Sequence, residues 1–399
     1  MDRSLAVERR LRDVAPHDLP AALRSALAEH FGAEAVELLM ADYALTELCQ
    51  VSTLPYTNEP ISVQGSTPGD AFVAQAATFE HSGSGVTGYL PVSVRGDRLG
   101  ILAVTLSAEP EPPVWAELER FAEAVAHELF VADRDTDLYI QARRSSRLTL
   151  AAEMQWQLLP GRACTRPEFA LGGQLEPAYA IYGDCFDWSA SAHSLAVTLI
   201  NGMGDGSEAA LLTNLAVNAL RNARRAGIEL DAQAELADQA LYSHYRGSRH
   251  VAALLLQFDL GTGLVDVVDA GSPRLWRLRD GKAERVLFEE QLPLGAFEET
   301  VYAVHQFQPL DGDRFVFVSD GVYNAAGPHG DRELGEAVAA TADLPAAHVP
   351  GAMLQELSTR RHGGKAEDDA MVVCLDWFGP TPLLEAGTSA SVTVPSTSE

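Results

Sequence analysis

RFVFVSD (residues 314–320) and AEDDAMVVCLDW (366–377) decide the fold. Each joins an apolar run of strand length to an acidic turn, at its end in the first and before it in the second. Short runs rich in β-branched and aromatic residues read as buried strands. Two further turns have the same shape. GDCFD carries Asp184 and Asp187, and LINGMGDGSEAA (199–210) places Asn201 at the strand end, then Gly202, Gly204, Asp205 and Gly206 before a helix. A lone Asp-Gly is ordinarily only a turn, but carboxylates at several strand ends converge on one rim of a sheet. Held close, they repel unless a cation lies between them. Two divalent ions about 3.5–4 Å apart activate a water and clamp phosphoryl oxygens. Magnesium or manganese suits such an oxygen-only shell, and glycine lets a backbone carbonyl approach a metal.

Around these turns lie further strand-like runs: AVTLI (196–200), VAALLLQFDL (251–260), LVDVVDA (264–270) and RLWRL (274–278). Helical stretches interrupt them, among them the amphipathic EAALLTNLAVNALRNARRAG (208–227), which ends at a glycine. Strands in runs with helices grouped between them indicate an α+β sandwich rather than a doubly wound parallel sheet. Arg221, Arg224 and Arg225 near that helix's end are accounted for by the helix dipole, with docking of an acidic partner as the alternative.

In the first part, LPVSVRGDRLGILAVTL (90–106) reads as a β-hairpin about Gly96-Asp97, and Val36 to Gln50 as strand-like. A helix follows from near Val114, with Leu118, Phe121, Val125 and Leu129 on one face. DRDTD interrupts it near Asp133, and the pattern resumes from Leu138 to Leu159, where Pro160 and Gly161 stop it. Such a connector offers itself for pairing in a homodimer, or for packing on its own domain. Residues 1–112, 113–160, 161–378 and 379–399 thus divide into a small α+β domain, a helical connector, the sandwich, and a tail whose composition predicts disorder.

Composition narrows the chemistry. A net charge of −27 over 399 residues disfavours nucleic acid and anionic membranes as partners. No apolar run reaches membrane-spanning length, and the first residues carry no secretion-signal pattern, so a cytoplasmic setting is expected. The scattered cysteines form no C-x-x-C pair. No G-x-S-x-G elbow, Walker loop or H-x-x-x-H pattern competes with the acids.

The order of these turns resembles the PPM-type phosphatases, and within them the SpoIIE and RsbU branch. AEMQWQLLP (152–160), DAGSPRLWRL (269–278) and LPLGAF (292–297) are similar to that branch's entry helix, its A-G-H-x-P turn and its L-P-L-G segment. The resemblance spans about residues 148–378. It implies an αββα sandwich holding two Mn2+ or Mg2+ ions, and removal of phosphate from phosphoserine or phosphothreonine by metal-activated water. It makes Asp184, Asp320 and Asp368 the catalytic carboxylates, and Asp184, Asn201, Gly202, Asp320 and Asp368 the metal set, with Asp187 and Asp369 as supporting neighbours. The implied substrate is a phosphorylated anti-anti-sigma-type regulator. The N-terminal domain resembles a GAF sensor domain.

Asn201 departs from the pattern, because the family's acid at this place bridges both metals. An amide gives one neutral oxygen, and its NH2 cannot ligate. The second ion is therefore expected to be weakened and activity lowered, which makes a phosphoprotein-binding pseudophosphatase the alternative. Asp205, in the same loop, is the acid placed to compensate. Ser272 stands where many relatives have His.

Overall fold

The computed structural model describes residues 3–51, 59–83, 85–144, 149–176, 181–271, 273–325, 330–360 and 368–381. Ser272, Glu367 and the tail from residue 382 lie outside the described residues.

The N-terminal half runs α1 (Arg3–Asp13), α2 (Leu19–Phe31), β1 (Ala35–Ala41), β2 (Glu47–Gln50), β3 (Ile61–Ser62), α3 (Thr67–Ala74), β4 (Thr78–Ser82), β5 (Gly85–Val94), β6 (Asp97–Leu106) and α4 (Pro112–Ala132). Its strands form one antiparallel sheet, ordered β3-β2-β1-β6-β5-β4. The expected hairpin is β5–β6, with Val94 opposite Asp97. Arg95 and Gly96 make its turn at φ 52° and 90°, the backbone that a tight two-residue connection requires. Helices α1, α2 and α4 cover one face, and α3 the other with Phe72.

Leu118, Phe121, Val125 and Leu129 of α4 are all buried against Leu90, Leu102, Val104 and the N-terminal helices. The stripe that the sequence offered for pairing with a second copy is therefore consumed within its own domain. The connector is also not one resumed helix. The polar 133–137 segment turns the chain after α4, and the short α5 (Leu138–Ala142) and α6 (Leu150–Leu158) follow.

The second half contains β7 (Ala163–Thr165), β8 (Phe169–Glu176), β9 (Cys185–Ala190), β10 (Ser194–Asn201), α7 (Gly206–Arg225), α8 (Leu230–Tyr245), β11 (Ala252–Asp259), β12 (Val265–Ala270), β13 (Arg274–Arg279), β14 (Lys282–Val286), β15 (His305–Phe307), β16 (Arg314–Val318), α9 (Asp320–Ala325), α10 (Gly330–Ala340), α11 (Val349–Arg360) and β17 (Ala370–Trp377). They make two antiparallel sheets, ordered β15-β12-β11-β10-β9 and β14-β13-β16-β17-β8-β7.

Strand alternation builds the layers. Phe315 and Phe317 of β16, Met371, Val373 and Leu375 of β17, and Leu254, Leu256 and Phe258 of β11 meet in the core between the sheets. Val316, Val318, Val372 and Cys374 face α9, α10 and α11 instead. Ala253 and Leu255 face α7 and α8. With β11, β16 and β17 buried on both faces, their sequences are almost continuously apolar. The result is the αββα sandwich.

The halves touch directly. Tyr43 stacks on Trp156 of α6 with ring centroids 5.0 Å apart. The Arg143 and Arg162 guanidinia lie over these rings, 5.0 and 5.3 Å from the Tyr43 and Trp156 centroids. Gln174 Nε2 donates to Ala44 O at 2.7 Å, and Arg98 Nη2 to Ala347 O at 2.9 Å.

Candidate metal and catalytic site

The acidic turns meet at one end of the sandwich. Asp184 precedes β9, Asn201 ends β10, Asp320 follows β16, and Asp368 precedes β17. The β10 turn and the Asp184 turn are in close contact. A Cβ on Gly202 would stand 2.2 Å from the Tyr182 carbonyl oxygen, so only glycine fits there. Gly202 N lies 3.3 Å from Asp184 Oδ1 and donates to it. Thr213 of α7 donates to the Gly183 carbonyl at 2.6 Å, fixing the same turn from the helix side. The other two turns touch as well, since a Cβ on Gly321 would lie 2.0 Å from Asp369 O and 3.2 Å from Asp368 Cβ.

Asp184 is 2% exposed and Asn201 5%. Asp184 Oδ2 and Asn201 Oδ1 have no hydrogen-bond partner among the described residues. Burial pushes the Asp184 carboxyl well above the usual carboxylate range. The Asp369, Asp320 and Asp368 carboxylates add to this, and the Ser319 hydroxyl offsets part. Burial also raises Asp320, against the N–H of Gly321 that bonds its Oδ1 at 2.9 Å.

Buried oxygens that lack donors and crowd other acids fit a hard divalent cation. Asp184 and Asn201, with the Gly202 carbonyl and the neighbouring Asp320 and Asp368, would offer such an ion the oxygen-only donors that Mg2+ or Mn2+ takes. Among the described residues, no three His, Cys, Asp or Glu side chains are gathered into a group that could hold a metal ion by themselves.

The neighbouring acids do other work. Asp369 is fully buried, and its Oδ2 accepts from Gln155 Nε2 at 2.9 Å, Tyr182 N at 3.0 Å, Gly183 N at 2.9 Å and Asp184 N at 3.3 Å. It ties the Asp184 turn to β17. Asp187 is held by Arg221 at 2.7 Å and Arg224 at 2.9 Å. These arginines therefore serve a buried carboxylate, beyond the dipole role expected of them. Asp205 is exposed at the N-cap of α7 and makes no side-chain cap bond.

Sequence reasoning missed Gln155 and Arg249. Gln155 shares a helix face with buried Ala151 and Ala152, a pattern that marks burial and nothing more. Arg249 Nη1 lies 2.2 Å from where a Gly204 Cβ would stand, which sets a guanidinium against the loop between β10 and α7, and it pairs with Glu208. No spacing in the sequence links it to that loop.

Residues 191–378 match the family model described as Stage II sporulation protein E (SpoIIE). No curated protein matches the chain. Similar solved structures include the RsbU and RsbW domains of Rv1364c from Mycobacterium tuberculosis, at 24% identity over 54% of this chain and with a TM-score of 0.48. This chain spans 62% of that one's length. The PP2C phosphatase domain and regulatory-domain fragment of SpoIIE from Bacillus subtilis matches at 14% identity over 94% of this chain and 93% of its own, with a TM-score of 0.47. The SiaA-PP2C domain of Pseudomonas aeruginosa matches at 21% over 52% of this chain and 85% of its own, with a TM-score of 0.45. Residues 191–378 thus carry the likeness to the SpoIIE family that the order of the acidic turns suggested.

Proposed function

We propose that this domain removes phosphate from a phosphoserine or phosphothreonine on a signalling partner, an anti-anti-sigma-type regulator. The observation that carries the reading is the pair of buried oxygens without donors, Asp184 Oδ2 and Asn201 Oδ1, beside the acids of two further strand-end turns. Mn2+ or Mg2+, when bound, polarises phosphoryl oxygens and acidifies water. Asp184, Asp320 and Asp368 would hold the ions, and the Gly202 carbonyl and Asn201 Oδ1 would complete the set. The N-terminal residues 1–112 act as a GAF-like sensor, 113–160 as the connector and 161–378 as the phosphatase. The Tyr43–Trp156 contact favours such coupling. No helix among the described residues is long and apolar enough to cross a membrane, and a cytoplasmic setting accords with the reading.

A second reading is favoured by Asn201. It withdraws one negative charge from between two dications, which suits a pseudophosphatase that binds a phosphoprotein without turnover. Mn2+-dependent hydrolysis of a phosphoserine peptide decides, with Asp320→Ala as control. Turnover by the wild type that Asp320→Ala abolishes supports the enzyme. Equal inactivity of both, with turnover gained by Asn201→Asp, leaves the binding module.

A further inference from the structure

Gln155 belongs to α6, which carries none of the site's acids, yet its side chain reaches their framework. Nε2 donates to the Asp184 carbonyl at 2.8 Å and to Asp369 Oδ2 at 2.9 Å. The residue is 2% exposed. Because Asp369 Oδ2 also accepts from the N–H groups of Tyr182, Gly183 and Asp184, one amide grips the 182–184 turn twice. It holds a carbonyl directly, and the N–H groups through the carboxylate. Both of its partners are acceptors, so only the NH2 end can face them.

The amide is not there for stability alone. Its Oε1 has no hydrogen-bond partner among the described residues, and a buried acceptor without a partner is destabilising. A methionine would fill the same helix face without that penalty. The helix that presents Gln155 is itself fixed. Thr149 Oγ1 accepts from Ala152 N at 3.2 Å at its start, and Trp156 stacks on Tyr43.

We propose that Gln155 is a positioning residue of the phosphatase site, acting through Asp369 and the 182–184 turn to hold Asp184 in place. The purpose of that positioning rests on the phosphatase reading. The test compares full-length wild type, Gln155→Met, and Gln174→Met, a control that removes another amide, the one bonded to Ala44 O. In excess chelator, amide exchange at Tyr182, Gly183 and Asp184 should quicken about tenfold in Gln155→Met alone, the scale of one lost hydrogen bond. Mn2+ affinity, read by calorimetry, should fall by a similar factor, and kcat on a phosphoserine peptide should drop while KM stays within about twofold. A merely structural role would leave the two variants alike in all three readouts, and that result overturns the proposal. Should Gln155→Met not fold, Gln155→Glu keeps the shape, replaces the donor by an acceptor and is read in the same way. A wild type that takes up no Mn2+ refutes the phosphatase reading instead, and the exchange comparison still decides whether Gln155 holds the turn.

Discussion

Replacing Asp369 by alanine removes the shared acceptor of four N–H groups, contributed by Gln155, Tyr182, Gly183 and Asp184. A hydrogen bond to a charged group contributes about 1.5–3 kcal/mol net, and a buried donor left alone costs about 1–3 kcal/mol. Four donors on one oxygen are not additive, and water entering the space left behind serves some of them. The expected loss is therefore about 3–5 kcal/mol, at the upper end of single substitutions. An opposing effect is present, because Asp369 also repels Asp184. Asp369→Asn separates the two, since the amide keeps an acceptor oxygen but drops the charge. It should cost about 1–2 kcal/mol, the difference between charged and neutral bonds. At about 2–4 °C per kcal/mol for a domain of this size, melting should fall by about 10 °C for alanine and about 4 °C for asparagine. Melts are run in excess chelator, so that metal binding does not add to the folded state. An alanine variant within about 1 kcal/mol of wild type, or an asparagine variant more stable than wild type, would show that repulsion outweighs the bonds and would refute the role assigned to Asp369.

Three further outcomes are expected. The raised Asp184 carboxyl keeps in the folded state a proton that the unfolded chain releases above about pH 4. The chelated protein should therefore lose stability as pH rises from there through the folded pKa, by up to about 1.4 kcal/mol per unit, and Asp184→Asn should lack that slope. Parallel melting profiles against pH would remove the claim. Gly202→Ala forces a Cβ onto the Tyr182 carbonyl at 2.2 Å, and should cost about 2–4 kcal/mol and abolish Mn2+ uptake. Gly227→Ala, in open space at φ 72°, should cost about 1 kcal/mol and leave uptake intact; calorimetry on both checks this. Asp187→Ala leaves Arg221 and Arg224 without their carboxylate and should cost about 3–5 kcal/mol in urea melts, whereas a loss below about 1 kcal/mol would mean that water serves them equally well.

The layers of the sandwich were legible because its central strands are buried on both faces. RFVFV and AMVVCLDW cannot be anything but interior. The acidic turns were legible because they interrupt such runs abruptly. β7, β9, β14 and β15 were not, since they are short or carry charge, and β15 finds its partner, β12, far back in the sequence. The fate of α4 was undecided for a different reason. An apolar stripe states that it will be covered but not by what, and here the cover is the chain's own sheet. Gln155 was invisible because its partners lie 29 and 214 residues away.

What distinguishes the candidate site from other buried acids is the company each keeps. Asp187 has Arg221 and Arg224, Asp313 has Arg279, and Asp376 has Arg314. Asp369 has amides. This chain thus repeatedly satisfies interior carboxylates with its own cations or donors, as the cost of burying charge demands. Asp184 is the contrast: its charge neighbours are other acids, and its Oδ2 and the nearby Asn201 Oδ1 are left without donors. Folding alone would favour an arginine or an apolar side chain there. In the proposed reading, a site kept costly in this way would be stabilised by a hard cation that arrives from outside, which its oxygen donors suit. Asn201 then has a definite physical sense. In that reading it lowers the charge that the folded chain must confine before the cation arrives, and would weaken the hold on a second ion once the first is bound.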